Sequence, residues 1–215
     1  MISKESILNL ITKNRHLLAT LALFIVFFCL RLYRLGYHDL WYDEVVSLDY
    51  AIFSLKNWNA PLYWILLRYW IKVFGISEFS LRFPSLIFSF FSVIMVYFLG
   101  KELFGKKSGI IASIFMGLSP FHLWYAQEAR DYSMVLFSGL LSSHLLYKAL
   151  KENRRSSWVF FALASIAGFY TNYFYAILFI AQALYVIFLG KSKLNFKTAF
   201  SFLVIIAGSL PNLKR

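Results

Sequence analysis

The chain has 215 residues, of which 60% are hydrophobic, 20% are aromatic and only 15% are charged, and its mean hydropathy is +0.64. Because an average soluble domain carries about 25% charged residues, this composition excludes an ordinary soluble protein and predicts a polytopic membrane protein. The formal net charge is +12, but the 22 Lys and Arg residues fall mostly in short clusters between apolar runs. That pattern is typical of topology signals, so no nucleic-acid partner is expected.

Apolar runs follow one another along the whole chain. A membrane-spanning helix needs about 20 mostly apolar residues, and the candidate runs, in chain order, are 17–33, 80–99, 108–125, 132–149, 157–171, 173–189 and 198–212. The first run has Lys13 and Arg15 before it but no small-residue cleavage site after it, so we interpret it as a retained anchor. The sequence therefore predicts an all-α transmembrane bundle of about seven spans, forming a single module over 1–215.

One short apolar segment, PLYWILLRYWIKVFG (61–75), decides the predicted topology. If it does not span, the basic clusters in 1–16, 100–107, 148–155 and 190–197 share one side and hold 13 of the 22 basic residues. The positive-inside rule then places that side in the cytoplasm, whereas a spanning segment would invert the bias. We therefore predict that 61–75 is a helix at the membrane surface and that the amino terminus lies inside.

With this topology the acidic residues gather on the outer side of the membrane. The first outer loop is 34–79 and the second is 126–131, and together with their edges they contain seven of the ten Asp and Glu residues: Asp39, Asp43, Glu44, Asp49, Glu78, Glu128 and Asp131. Polar groups near the bilayer are costly unless they are paired or bind a ligand. Two ordinary explanations stay open: Asp39 or Asp43 as the N-cap of an interfacial helix, and an interfacial salt bridge from Arg130 to Glu128 or Asp131.

The ordered set of motifs resembles a family of membrane enzymes. WYDE (41–44), APLYW (60–64), VFGISEFSLRFPS (73–85), LFGKKSG (103–109) and SPFHLWYAQEARDYS (119–133) are similar to the amino-terminal half of GT-C glycosyltransferases, in the branch of protein O-mannosyltransferases and aminoarabinose transferases. The resemblance covers about 17–190. It implies an integral protein of a bacterial or archaeal plasma membrane. The implied reaction moves a sugar from a polyprenyl-phosphate donor to a protein, lipid or glycan acceptor on the outer face. Membrane lipids are expected to surround the protein.

The resemblance also implies roles for individual residues. Asp43 matches the family's acid in the first outer loop, with Glu44 beside it, and Glu128 matches the second-loop acid that helps to hold a metal or the substrate. Displacement of phosphate from the anomeric carbon requires the acceptor hydroxyl to lose a proton, so Asp43 is our candidate general base.

The leaving phosphate needs a divalent cation or a guanidinium group. A divalent ion (Mg²⁺, Mn²⁺ or Zn²⁺) would lie on Glu128 with Glu44 as helper. The candidate phosphate-binding residues are Arg130, Gln127, Arg82 and Arg68.

Some positions depart from the family pattern, and two other functions stay open. Asn59 and Asn172 stand where relatives often carry histidines, and those relatives continue well beyond this sequence. His122, a lone histidine near a span end, is expected to be structural. A non-catalytic membrane subunit, or an inactive relative, remains the main alternative. A transporter is less favoured, because the predicted span interiors carry almost no charge.

The predicted topology can be tested with a cysteine at Lys106 in a chain whose Cys29 has been replaced. We expect an impermeant thiol reagent added outside intact cells to leave this cysteine unlabelled, since the 100–107 cluster is predicted to be cytoplasmic. A cysteine at Asp49, in the first outer loop, is the matched control that should be labelled. Labelling at position 106 would overturn the arrangement of loops.

Overall fold

A computed structural model describes the backbone of residues 4–53, 60–188 and 195–213, and the side chains of 18–53, 60–188 and 195–211. Asn59 and the basic residues Lys191 and Lys193 lie outside these ranges. The described part is helical and contains no strand, which confirms the all-α prediction. Its helices are α1 (Lys4–Leu32), α2 (Tyr42–Phe53), α3 (Leu62–Phe74), α4 (Glu78–Phe104), α5 (Lys106–Leu118), α6 (Pro120–Ala126), α7 (Tyr132–Glu152), α8 (Arg155–Thr171), α9 (Tyr175–Phe188) and α10 (Phe196–Leu213).

Each predicted apolar run coincides with a helix or, for 108–125, with the consecutive helices α5 and α6. Within the described ranges, α4 is the one helix that is long and apolar enough to cross a membrane. The pair α5 and α6, bent by 63°, qualifies as a second if it is counted as one broken span. Shorter apolar stretches are Leu18–Leu32, Tyr175–Phe188 and Phe196–Pro211. The number of seven spans therefore stays a prediction.

Large apolar side chains cover the outside of the bundle. On α8 the side chains of Val159, Phe160 and Leu163 are all more than half exposed, and so are Ile177 and Ile180 on α9. Exposed apolar faces of this extent are unfavourable in water but are solvated by lipid. Together with the composition, they identify an integral membrane protein.

Helix α4 is the central helix of the fold and packs on both α5 and α7. Its N-cap is Ser77, whose hydroxyl accepts a hydrogen bond from the Ser80 amide at 3.1 Å. Its buried face carries small side chains, among them Ser85, Ser89 and Ser92. Small residues allow helix backbones to approach closely in a membrane, so α4 can contact several neighbours at once.

Helices α2 and α3 both lie within the predicted first outer loop. Helix α3 has 13 residues, so it is about 20 Å long and too short to cross a hydrocarbon core of about 30 Å. This length agrees with the prediction that 61–75 does not span. Tyr63, Trp64 and Leu67 on α3 are buried in a cluster that includes Ala51 of α2, so the two short helices pack as one layer.

The close crossing of α4 and α5 depends on a glycine. A Cβ atom added at Gly109 would lie 2.5 Å from the Tyr97 carbonyl oxygen and 2.8 Å from the Lys101 amide nitrogen. We therefore expect Gly109→Ala to force the helices apart and to lower the free energy of unfolding by about 1–3 kcal/mol. Thermal unfolding in detergent would measure this change, with the exposed Ile111→Ala as control. Equal midpoints for the two variants would contradict the close packing.

Candidate active site

A buried carboxylate joins the two loops that are predicted to lie outside. Glu44, in the first turn of α2, has no exposed surface. Its Oε1 atom accepts hydrogen bonds from the Ala129 backbone amide at 2.8 Å and from Arg82 Nε at 2.8 Å, and its Oε2 atom accepts one from Arg82 Nη2 at 2.7 Å. Residues 85 positions apart in sequence are thus fixed against each other.

Arg82, on α4, holds the chain between α1 and α2 as well. Besides Glu44, its guanidinium donates hydrogen bonds to the carbonyl oxygens of Leu35, His38 and Asp39 at 2.9–3.1 Å. A buried ion pair is favourable only when the remaining hydrogen-bonding capacity is satisfied in this way. Because their atoms are already engaged, Arg82 and Glu44 position the site, and Glu44 has little capacity left to serve as a metal ligand.

The start of α2 does not use the N-cap residues that the sequence suggested. Helix α2 begins at Tyr42, so Trp41 occupies the N-cap position. The Trp41 amide donates to Glu44 Oε2 at 3.4 Å, which is the reciprocal half of a capping box. The alternative that Asp39 or Asp43 caps the helix is therefore wrong, and neither carboxylate is needed for helix initiation.

Glu128 lies in the short connection between α6 and α7. It is buried, its Oε1 atom accepts a hydrogen bond from the Trp124 indole, and its Oε2 atom has no hydrogen-bond partner among the described residues. Burial raises the pKa of Glu128 above its ordinary value, while the bond from Trp124 acts in the opposite direction. An orphaned buried carboxylate oxygen is costly, so this atom is available to a ligand.

Arg130 forms no ion pair with Glu128 or Asp131 in the part of the chain that the structure describes, so the salt-bridge alternative is wrong. Its Nη1 atom donates to the Asp43 carbonyl oxygen at 3.3 Å, and its guanidinium faces the rings of Trp64 and Tyr132. The Nε atom of Arg130 is buried and lacks a partner within the described ranges. Arg130 thus keeps hydrogen-bonding capacity that a phosphate oxygen could use.

Asp131 connects the second loop to the turn between α8 and α9. Asn172, in that turn, donates from Nδ2 to Asp131 Oδ2 at 2.8 Å, and both side chains are buried. Burial raises the pKa of Asp131, with the Asn172 bond opposing the shift. Asn172, which departs from the family pattern, therefore has a structural partner here.

Arg68 was predicted as a phosphate-binding residue, but its guanidinium contacts the backbone of α2. On α3, its guanidinium donates to the carbonyl oxygens of Ala51 and Ile52 at 2.7 and 2.5 Å. These carbonyls belong to the last described turn of α2. In this arrangement Arg68 joins α3 to α2 and does not line the cavity described next.

A cavity of about 380 Å³ opens where the two loops meet. Among the predicted site residues, Glu44, Arg82, Gln127 and Glu128 line it, and Asp43, Arg130 and Arg68 do not. The remaining lining residues are Arg34, Leu35, His38, Asp39, Trp41, Trp124, Tyr125 and Tyr132.

Asp43 is half-buried next to this lining, in the first turn of α2. Its carboxylate accepts no hydrogen bond from the residues that the structure describes, yet its charge acts on both Glu128 and Arg130. A carboxylate in this position can receive a proton without first breaking a protein contact.

Sequence reasoning missed Arg34 as a site residue. It follows α1, is exposed in the cavity wall, and stacks on the Tyr37 ring with its guanidinium carbon 4.5 Å from the ring centroid. No carboxylate of the described ranges pairs with it. Its backbone has φ 57°, a left-handed conformation that is uncommon for a non-glycine residue and that the sequence does not indicate.

The residues present offer only a partial fit to a divalent cation. Within the described ranges, no three His, Cys, Asp or Glu side chains come together as a metal site. Mg²⁺ is often held by one or two protein carboxylates together with substrate phosphates, and Glu128 could supply one such carboxylate. Glu44 does not fit, because its oxygens are engaged with Arg82 and with backbone amides.

Comparison with known proteins assigns the chain to a family. The sequence profile described as Dolichyl-phosphate-mannose-protein mannosyltransferase matches residues 59–213. The chain belongs to this family. This membership confirms the resemblance to GT-C glycosyltransferases. The cavity lies where the two acidic loops of the chain meet.

Two curated relatives show the range of names among similar proteins. The protein named "Undecaprenyl phosphate-alpha-4-amino-4-deoxy-L-arabinose arabinosyl transferase" from Wigglesworthia glossinidia brevipalpis is 25% identical over 87% of this chain and 36% of its own length. The "Putative mannosyltransferase YkcB" of Bacillus subtilis (strain 168) is 28% identical over 55% of this chain and 16% of its own length. This member of the mannosyltransferase family thus spans 36% and 16% of the lengths of these two relatives. No solved structure matches it.

The buried ion pair between Glu44 and Arg82 predicts that neutralising Glu44 lowers the stability of the protein strongly. Glu44→Gln leaves the Arg82 charge buried without its counter-charge, so we expect the free energy of unfolding to fall by about 3 kcal/mol or more. Thermal unfolding in detergent would measure it. Asp49→Asn, which neutralises an exposed acid on the same helix, is the control and should change stability little. A Glu44→Gln protein as stable as the control would show that the pair does not hold the loops together.

Proposed function

We propose that this protein transfers a sugar from a polyprenyl-phosphate donor to an acceptor at the extracytoplasmic face of a bacterial or archaeal plasma membrane. The single observation that carries the proposal is the cavity in which both acidic loops meet, joined by the bonds of Glu44 to Arg82 and Ala129. Family membership supports the reaction type, and the name of the Wigglesworthia relative supports a polyprenyl-phosphate donor.

Asp43 acts as the general base in this proposal. The acceptor hydroxyl oxygen attacks the anomeric carbon, the bond between that carbon and the donor phosphate oxygen breaks, and the hydroxyl proton passes to the Asp43 carboxylate. A base must reach the proton that it removes, and the side chain of Asp43 is free of protein hydrogen bonds in the described structure. Asp39, which lines the cavity, is the competing carboxylate.

Guanidinium groups stabilise the phosphate that leaves. Arg34 is a cavity cation without an acidic partner among the described residues, and Arg130, which lies outside the cavity lining, has a buried Nε atom without a partner in the same ranges. Guanidinium groups suit phosphate because their planar donors match two of its oxygens. Gln127 donates from Nε2 to the carbonyl oxygens of Arg31 and Tyr33 at 3.0 and 2.7 Å, so it positions the Arg34 segment instead of binding phosphate.

Glu128 provides the second functional carboxylate. Its Oε2 atom is buried without a hydrogen-bond partner among the described residues. This atom can accept a hydrogen bond from a sugar hydroxyl or contribute one ligand to a divalent cation shared with the donor phosphate. A bound cation would add positive charge beside the developing phosphate. The acceptor is a protein, lipid or glycan hydroxyl, because the attacking group in this chemistry must lose a proton.

The proposal predicts that Asp43→Asn lowers the rate of sugar transfer at least about 100-fold, since general base catalysis contributes about 10²–10⁴-fold. The measurement is transfer from a polyprenyl-phosphate sugar by the full-length protein in membranes. Asp39→Asn and Asp49→Asn are matched controls that neutralise neighbouring acids and should retain most of the activity. Glu128→Gln should also lose transfer while inserting normally.

Two outcomes would contradict this assignment. Loss of transfer in Asp39→Asn with activity kept in Asp43→Asn would move the base to Asp39. Unchanged transfer in both Asp43→Asn and Glu128→Gln would remove the catalytic proposal and favour a non-catalytic membrane subunit.

A further inference from the structure

A second, larger cavity lies at the other end of the bundle from the candidate active site. It is an open groove of about 610 Å³ between α8 and α10, within the range of about 300–1,000 Å³ typical of small-molecule sites. Helix α7 connects the two places, because it begins at Tyr132 beside the active-site cavity and ends at Glu152 beside the groove. Its 21 residues separate them by about 30 Å.

The groove is apolar over most of its length. Its floor is formed by the buried side chains of Trp158, Ala162 and Ser201, and its walls carry exposed Val159, Leu163, Phe196, Phe200 and Val204. The lining extends along α8 from Arg155 to Ile166, a distance of about 16 Å. That distance equals about half of a hydrocarbon core of about 30 Å, or the depth of one leaflet.

One end of the groove is polar and positively charged. Arg155 and Lys197 line this end together with Asn153 and Asn195. Segments 148–155 and 195–197 carry five basic residues and a single acid, Glu152, and Glu152 accepts a hydrogen bond from Ser157. Within the described ranges, no carboxylate forms an ion pair with Arg155 or Lys197.

Asn153 fixes the geometry of the charged end. It has a left-handed backbone with φ 51° at the end of α7. Its carbonyl oxygen accepts a hydrogen bond from Lys197 Nζ at 2.8 Å, and its side-chain oxygen accepts from Asn195 Nδ2 and Trp158 Nε1, each at 3.4 Å. The beginnings of α8 and α10 are thus joined at one point, and the ammonium group of Lys197 is held there.

We propose that the α8–α10 groove binds an anionic phospholipid, with its phosphate at Arg155 and Lys197 and an acyl chain along Val159, Leu163 and Phe200. Charge complementarity carries this choice, because basic pockets between membrane helices bind acidic headgroups. The apolar stretch matches the depth of one leaflet. A covering protein segment would instead have to bring acidic residues to the same end. This inference is independent of the proposed function, since the groove shares no residue with the active-site cavity.

Native mass spectrometry of the full-length protein in detergent tests the proposal, with dioleoylphosphatidylglycerol and dioleoylphosphatidylcholine as probes. We expect retention of the anionic lipid only. The double variant Arg155→Gln, Lys197→Gln should lower this retention by about tenfold. The control Lys106→Gln, Lys107→Gln removes the same charge from another cluster that is predicted to share this side, and it should retain the lipid.

A third variant tests the apolar part of the groove separately. Val159→Trp narrows the groove and leaves both cations in place, so it should also lower lipid retention. Each of three results would overturn the proposal. They are equal binding of the two lipids, an equal loss of phosphatidylglycerol in the Lys106→Gln, Lys107→Gln control, and undiminished binding of phosphatidylglycerol by Val159→Trp. The proposal would also be overturned if the protein formed a dimer through these groove residues and phosphatidylglycerol did not dissociate it. That result would assign the groove to a second copy of the chain.

Discussion

The arrangement of the candidate active site depends on the buried ion pair between Glu44 and Arg82. A fully buried carboxylate in an apolar bundle is strongly unfavourable unless its charge is balanced and its oxygens are hydrogen-bonded. Here both conditions are met, because Arg82 balances the charge and the Ala129 amide adds a further bond. The pair therefore specifies one way for the first loop, α4 and the second loop to come together.

The other polar contacts of the site extend this arrangement. Arg82 also binds three backbone carbonyls between Leu35 and Asp39, which places Arg34 and Asp39 in the cavity wall. Ala129, held by Glu44, lies between Glu128 and Arg130, so the same bond holds the backbone from which both side chains extend. Asp131 and Asn172 then connect the second loop to the turn after α8.

A comparable buried charge lies within the bundle on α1. Arg31 has no exposed surface, and its guanidinium donates to Ser89 Oγ at 2.8 Å, to the Gly117 carbonyl oxygen at 3.3 Å and to His122 Nδ1 at 2.7 Å. These contacts meet at the 63° bend between α5 and α6, where backbone carbonyls lose helical partners. His122 is an acceptor in this cluster, in keeping with the structural role expected for it.

The sequence was informative wherever one physical rule dominated. Hydropathy located the apolar helices. The positive-inside rule predicted that 61–75 lies at the membrane surface, and it placed Asp43 and Glu128 on the same side. It was less informative about side-chain partners. Nothing local to SEFSLRF indicates that Arg82 binds Glu44, 38 residues away, or that Arg68 binds the Ala51 and Ile52 carbonyl oxygens of α2. Such pairings follow from three-dimensional packing, so the cationic residues of the cavity were predicted only in part and Arg34 was missed.

The most direct test of this account is an experimental structure of the full-length protein with a bound polyprenyl phosphate. The account predicts that the phosphate group lies in the cavity between the two loops, within hydrogen-bonding distance of Arg34 and beside Glu128. A phosphate bound elsewhere, with this cavity empty and Glu44 still paired with Arg82, would contradict the claim that the pair assembles the donor site.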